Sequence, residues 1–324
     1  MKRLLLLGMT TACVLMAPSA LRAQNRQSAQ QELQAAQAAL TAGHHDEAWQ
    51  RYHRLAERGN PLAQFVVGQF LQQGWGRPVD QIAACNWFSK AAGQHVPYAE
   101  HLWADCLAQG IGREQDIARA LYWYERAAND GHWLSLCSAA HHFIHGQGVA
   151  KDVQRGLSMC TQAAQAESPP AMLQLAHYYE QDADVRQDLA RARYWYRQAA
   201  QRQQPEAQYR LGLMLAQGQG GPAEPDAALT WLESAASAGY VEAYLPTAVL
   251  YGNADVQAET GALAPAHLAK VYLWVAAAKA SKLPPPQLAL AATIETQVLA
   301  VMPASWRPEL DRKLAAHLAR FAPP

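Results

Sequence analysis

Residues 207–236 read AQYRLGLMLAQGQGGPAEPDAALTWLESAA, and this stretch decides the fold. In its first half Ala207, Leu211, Gly212 and Leu215 follow one another at steps of four, one and three, which places them on one face of an α-helix. Gly218 and Gly220 then interrupt the run, because glycine accepts the left-handed conformation in which helices commonly end. Glu224 supplies an acid where a second helix begins, matching the positive end of its dipole. Ala228, Trp231, Leu232, Ala235 and Ala236 form that helix's apolar face. Small residues let two such helices approach, but one pair alone leaves apolar surface in water, so it needs neighbours.

The neighbours are present in the sequence. Ala63, Ala99, Ser135, Ala171, Ala207 and Ala243 recur at a constant step of 36, as do Trp87, Trp123, Met159, Trp195 and Trp231, each four residues before a pair of alanines. Glycine pairs stand at Gly74 and Gly76, Gly110 and Gly112, and Gly146 and Gly148, whereas the fourth unit substitutes Asp182 and Asp184. Asp80, Asp116, Asp152 and Asp188 precede the second helices, and Pro61, Pro97, Pro169 and Pro205 open first helices, where a missing N–H costs nothing. A period of this length, with two helices in it, predicts a stack of repeated pairs.

The run Ala-Gln-x-x-Leu-Gly-x-x-(aromatic or Leu)-x-x-Gly-x-Gly, then Asp, then Ala-x-x-Trp-Tyr-x-x-Ala-Ala, is clearest at Ala207 to Gly220 and Asp116 to Ala128. It resembles the Sel-1-like repeat, a relative of the tetratricopeptide repeat. The expected fold is all-α, a right-handed α/α solenoid of stacked antiparallel helix pairs. The expected organisation is a signal peptide at 1–23, a degenerate helix pair at 24–60, a repeat array at 61–284 and capping helices at 285–324. The array holds five units at a step of 36 and a longer sixth, in which Trp274 follows Trp231 by 43 residues. The resemblance implies a non-catalytic adaptor that binds another protein, with exported members serving envelope complexes.

Composition narrows the partners. Lys plus Arg number 27 and Asp plus Glu 27, and Lys2, Arg3 and Arg22 fall in the first 23 residues, so the remainder carries about −3. That balance gives little attraction to phosphate backbones or anionic lipid, and nucleic acid is not an expected partner. Met1-Lys2-Arg3, the apolar run Leu4 to Ala17 and the small residues to Ala23 read as a signal peptide, with no transmembrane segment in the mature chain. Cys13 raises a lipoprotein reading, which Thr10 and the apolar Val14 to Met16 disfavour. The expected location is therefore periplasmic or secreted.

Enzyme readings have little to stand on. Some cysteine-rich exported relatives carry a β-lactamase label, but no serine here has a lysine three residues later, and Gly-x-Ser-x-Gly and His-Glu-x-x-His are also lacking. No cofactor is expected. His141 and His145 lie four apart, and His177 is one period after His141, so three imidazoles form the one metal-like constellation. Gln69 and Asp105 hold the register of His141, and Gln73, Gln109, Gln181 and Gln217 that of His145, which favours a solvated polar face over a metal. An envelope enzyme, or a receptor for a small ligand or metal, is the alternative to the scaffold.

Two further expectations are geometric. Cys85 and Cys106 stand about equally far from the turn between a second helix and the next first helix, and Cys137 and Cys160 are equally placed within one unit. Export permits oxidation, so the expected pairs are Cys85 with Cys106 and Cys137 with Cys160. The partner-binding face should follow the first helices, in rows 36 apart: Gln69, Asp105, His141, His177, then Gln73, Gln109, His145, Gln181, then Leu62, Tyr98, Leu134, Glu206 and Glu242. The third row predicts a groove that is apolar near its first units and acidic near its last. Trp103 is expected in the core, Trp75 under its turn, and Trp123, Trp195 and Trp231 between units.

Overall fold

The computed structural model describes residues 18–254, 263–281 and 283–321, and every regular element among them is helical. In order these are α1 (Pro18–Thr41), α2 (His45–Glu57), α3 (Pro61–Gln73), α4 (Gln81–Ala92), α5 (Pro97–Gln109), α6 (Ile117–Asn129), α7 (Leu134–His145) and α8 (Val153–Gln165). Then come α9 (Pro169–Gln181), α10 (Leu189–Gln201), α11 (Pro205–Gln217), α12 (Pro225–Ser237), α13 (Val241–Gly252), α14 (Pro265–Ala280) and α15 (Pro285–Val301). A 3₁₀ turn leads from α15 to α16 (Arg307–Ala319). Among the described residues no single helix is long and apolar enough to cross a membrane.

The chain divides into two compact units inside the pair α5 and α6. The first runs to Cys106 and takes in Ile111–Glu114, and the second comprises Leu107–Gly110 and everything from Gln115. In the first unit α1 packs on α2, α2 on α3 and α3 on α4. In the second, successive helices from α6 to α15 pack in the same serial fashion, and α16 folds back on α14. Each unit is thus a stack of antiparallel helix pairs, the all-α repeat architecture the period demands. The expected signal peptide lies largely outside the described residues. Its last part, Pro18 to Ala23, is helix-ending by composition and instead opens α1.

Local chemistry explains the boundaries. Asp80, Asp116, Asp152 and Asp188 each accept a hydrogen bond from the backbone N–H three residues on, at 2.9 to 3.0 Å, and so cap α4, α6, α8 and α10. Glu224 makes no such bond at α12. It pairs instead with the buried Arg193 guanidinium, which also donates to Pro222 O at 2.8 Å. Gly146 and Gly218 close their helices in the left-handed conformation. The second glycine of the turn is required by close approach, since a Cβ on Gly148 would stand 2.3 Å from Ile117, and one on Gly220 2.2 Å from the Leu189 carbonyl oxygen. The turn therefore presses on the start of the preceding pair's second helix.

The core adds a distinction within the second helices. The tryptophan row is only half-buried at Trp87, Trp123, Trp195 and Trp231. The next residue is the buried one, at Phe88, Tyr124, Cys160, Tyr196 and Leu232, none more than 3% exposed. Side-chain size suggests the tryptophan, but the helix turns its larger ring to the flank and aims the following side chain at the first helix of its pair. Trp103 is 4% exposed and belongs to the core as expected. Trp75 packs edge-on against Phe70 at 5.3 Å.

Candidate functional site

Both expected disulfides form. Cys85 on α4 joins Cys106 on α5 with α-carbons 5.9 Å apart, and Cys137 on α7 joins Cys160 on α8 at 4.3 Å. Equal distance from the intervening turn brings the α-carbons within bonding range of one another.

In the first unit, Leu62 at the start of α3 and Tyr98 at the start of α5 are 55% and 61% exposed. The Tyr98 ring lies 6.3 Å from Phe65, which makes a small aromatic patch on the first helices. Gln73 is exposed and Gln69 half-buried. Asp105 sits 3.6 Å from His101 Nε2, and burial pushes the His101 imidazole down to about 4 despite that carboxylate.

In the second unit, residues from all three rows converge. Gln109, Leu134 and His141 line one cavity of about 660 Å³ with Gln115, Gln147, Gln174, Tyr178 and Cys137 of the second disulfide. Four glutamines, Gln109, Gln115, Gln147 and Gln174, bring side-chain amides to its wall. Burial, and then the Asp182 carboxylate, raise the Tyr178 phenol, so it is a hydrogen-bond donor at every physiological pH.

The three histidines do not gather. His141 and His145 have ring centroids 4.3 Å apart on α7. His177, on α9, joins a different network: its Nε2 is 3.1 Å from Glu206, and its Nδ1 2.9 Å from the Tyr196 hydroxyl, which donates to Glu180 at 2.5 Å. Burial holds the His177 imidazole below its usual range, against the opposing pull of Glu206. Glu206 is consequently half-buried and engaged, whereas Gln181, Gln217 and Glu242 are exposed. His145 meets acids instead, with Asp182 at 3.4 Å and Asp184 at 2.8 Å.

Sequence reasoning missed Glu180 and Tyr196 as network members and set Asp182 and Asp184 apart from the histidines. The signal was present in the Asp-x-Asp that replaces Gly-x-Gly beside the row containing His145.

Antiparallel helix pairs stacked at a constant step, with a polar first-helix face and a close-packed small-residue seam, define an α/α repeat protein. The Sel1 repeat model matches residues 61–95, 97–132, 134–168, 169–203 and 205–240, more than half of the chain, and the chain belongs to the Sel1 repeat family. The pair α13 and α14 forms beyond the last match, with most of its connection, 255–262, outside the described residues. Among solved structures, a Sel1 repeat protein from Oxalobacter formigenes is 29% identical, with a TM-score of 0.56, over 69% of this chain and 91% of that one. The protein c5321 of uropathogenic Escherichia coli, a protective antigen displaying an SLR fold, is 21% identical with a TM-score of 0.56, over 91% of this chain and 65% of that one. A search of curated proteins gave no match.

Proposed function

We propose that this chain is an exported, non-catalytic scaffold of the bacterial cell envelope that binds another protein through the exposed surface of its first helices. Sel1 repeats generally serve protein–protein interaction, and the two disulfides suit an oxidising compartment, in line with the signal-like first 23 residues. The observation that carries the reading is the cavity on the second unit with its four glutamines. Glutamine offers both donors and an acceptor, the same pattern a peptide backbone presents, so Gln109, Gln147 and Gln174 suit an extended polypeptide segment.

Affinity capture from envelope extracts tests this. One stoichiometric protein should be retained by the wild type and lost or weakened in a Gln174→Ala, His141→Ala double variant. Tyr98→Ala and Glu242→Arg each test a further exposed first-helix position. Glu206 is unsuitable for charge reversal, because it holds His177. Capture that survives all of these changes would move the site elsewhere.

The same cavity favours a second reading, a receptor for a small polar ligand. Native mass spectrometry of protein purified from its own envelope would then find an adduct that the double variant lacks.

A further inference from the structure

His145 is the last residue of α7, and its imidazole lies between two carboxylates from the turn after α9: Nε2 is 3.4 Å from Asp182 Oδ2 and Nδ1 2.8 Å from Asp184 Oδ2. His141 stands one helical turn back, its ring 4.3 Å from that of His145. The repeat supplies the background against which to judge this. The turns at 74 and 76, 110 and 112, 146 and 148, and 218 and 220 carry glycine where this one has aspartate, and glutamine holds the register of His145 at 73, 109, 181 and 217. Two departures from the period, in neighbouring pairs, meet in space.

A structural role accounts for part of this. Asp182 Oδ1 accepts the Asp184 backbone N–H at 2.9 Å and so rebuilds a turn without glycine. That leaves Asp182 Oδ2 and the whole Asp184 side chain free of the turn, and both face His145. The geometry points to a divalent transition-metal site of the zinc type, with His145, Asp182 and Asp184 as ligands and His141 as the fourth.

Imidazole nitrogen with carboxylate oxygen is a zinc donor set, whereas calcium and magnesium prefer oxygen alone. Zinc bonds of about 2.0 to 2.2 Å place neighbouring ligand atoms of a tetrahedron roughly 3.3 Å apart, close to the 3.4 Å between His145 Nε2 and Asp182 Oδ2. One ligand atom from each of His145, Asp182 and Asp184 lies within 4.8 Å of the others, so small side-chain rotations close the set. The competitor is the Lys151 ammonium, which contacts Asp184 Oδ1. It is 49% exposed on a flexible stem and can withdraw to water when the metal binds. The bound ion would tie the end of α7 to the turn of the next pair.

Protein freed of metal with a chelator, disulfides intact, is titrated with zinc(II) by calorimetry near neutral pH, and with cobalt(II) by visible absorption. One equivalent of zinc should bind, and cobalt should show the intense bands of a tetrahedral centre. His145→Gln installs the side chain that other repeats carry there, and Asp184→Asn keeps shape without charge. Each should weaken binding about tenfold or more, with the far-ultraviolet helical spectrum unchanged. His44→Ala, an exposed histidine in the first unit, should leave binding as it is. Zinc should raise the melting temperature of the wild type and not that of His145→Gln. No binding, or equal affinity in His145→Gln and Asp184→Asn, overturns the assignment and leaves the cluster as an ion pair.

Discussion

A row of residues between pairs carries the clearest strain. Positions 59, 95, 131, 167, 203 and 239 all have positive φ, and three of them, His95, Glu167 and Gln203, are not glycine. An L side chain in the left-handed region costs about 1 kcal/mol or more. Gln203→Gly should therefore stabilise the fold by about 1 kcal/mol, read as an upward shift of the thermal midpoint; a downward shift would mean that the gain in unfolded-chain entropy dominates. The row was visible in Gly59, Gly131 and Gly239, but the non-glycine members give no local signal, so only the period reveals them. The capping aspartates were legible because their chemistry is local. The pairing of His145 with Asp182 and Asp184 was not. A 36-residue shift aligns equivalent residues, whereas His145 ends its helix and reaches the turn after the next first helix.

His101 carries a pH dependence. Its folded value of about 4 lies below the ordinary 6.5, so between those limits the unfolded chain binds a proton that the folded chain refuses. Stability is therefore full above about pH 6.5 and falls as the pH drops towards 4, by up to about 3 kcal/mol from this group. His101→Gln should flatten that part of the denaturant-midpoint profile. An unchanged slope would assign the acid sensitivity to other groups, His177 first among them.

At the scale of the helix, the buried position after each tryptophan decides cohesion. Tyr196 has no exposed surface, and Tyr196→Ala should cost about 3 to 5 kcal/mol, with Trp195→Ala costing less because that ring is only partly buried. Equal losses would restore the tryptophan as the central packing residue. Tyr196→Phe isolates the hydroxyl and leaves Glu180 and His177 without that partner, a loss of about 1 to 3 kcal/mol. Helix limits were readable because glycine, proline and aspartate punctuate every unit. Which of two adjacent aromatics faces inward was not, since both lie near the edge of the same apolar stripe and rotation of the helix in its stack chooses between them.

Over the whole molecule, the period conveyed nearly all of the architecture: pairs, serial packing and both disulfides follow from counting residues from each turn. The division within the pair α5 and α6 did not, because the repeat pattern runs through it without interruption. Removing the Cys137–Cys160 bond, which closes a separation of 23 residues, should cost about 3 kcal/mol by loop entropy. Thermal melts of the double alanine variant would show it.

Cys160 stands where the other second helices place a ring or a leucine, so at α7 and α8 the stack exchanges packed volume for a covalent bond. A newly made chain gains that bond only after an oxidant has acted. Until then α7 and α8 are held by packing alone and should exchange their amide hydrogens faster than the pairs from α9 onward. Maturation thus has a chemical clock: amide hydrogens of α7 and α8 should become protected at the rate of thiol oxidation, and those of α10 to α12 beforehand.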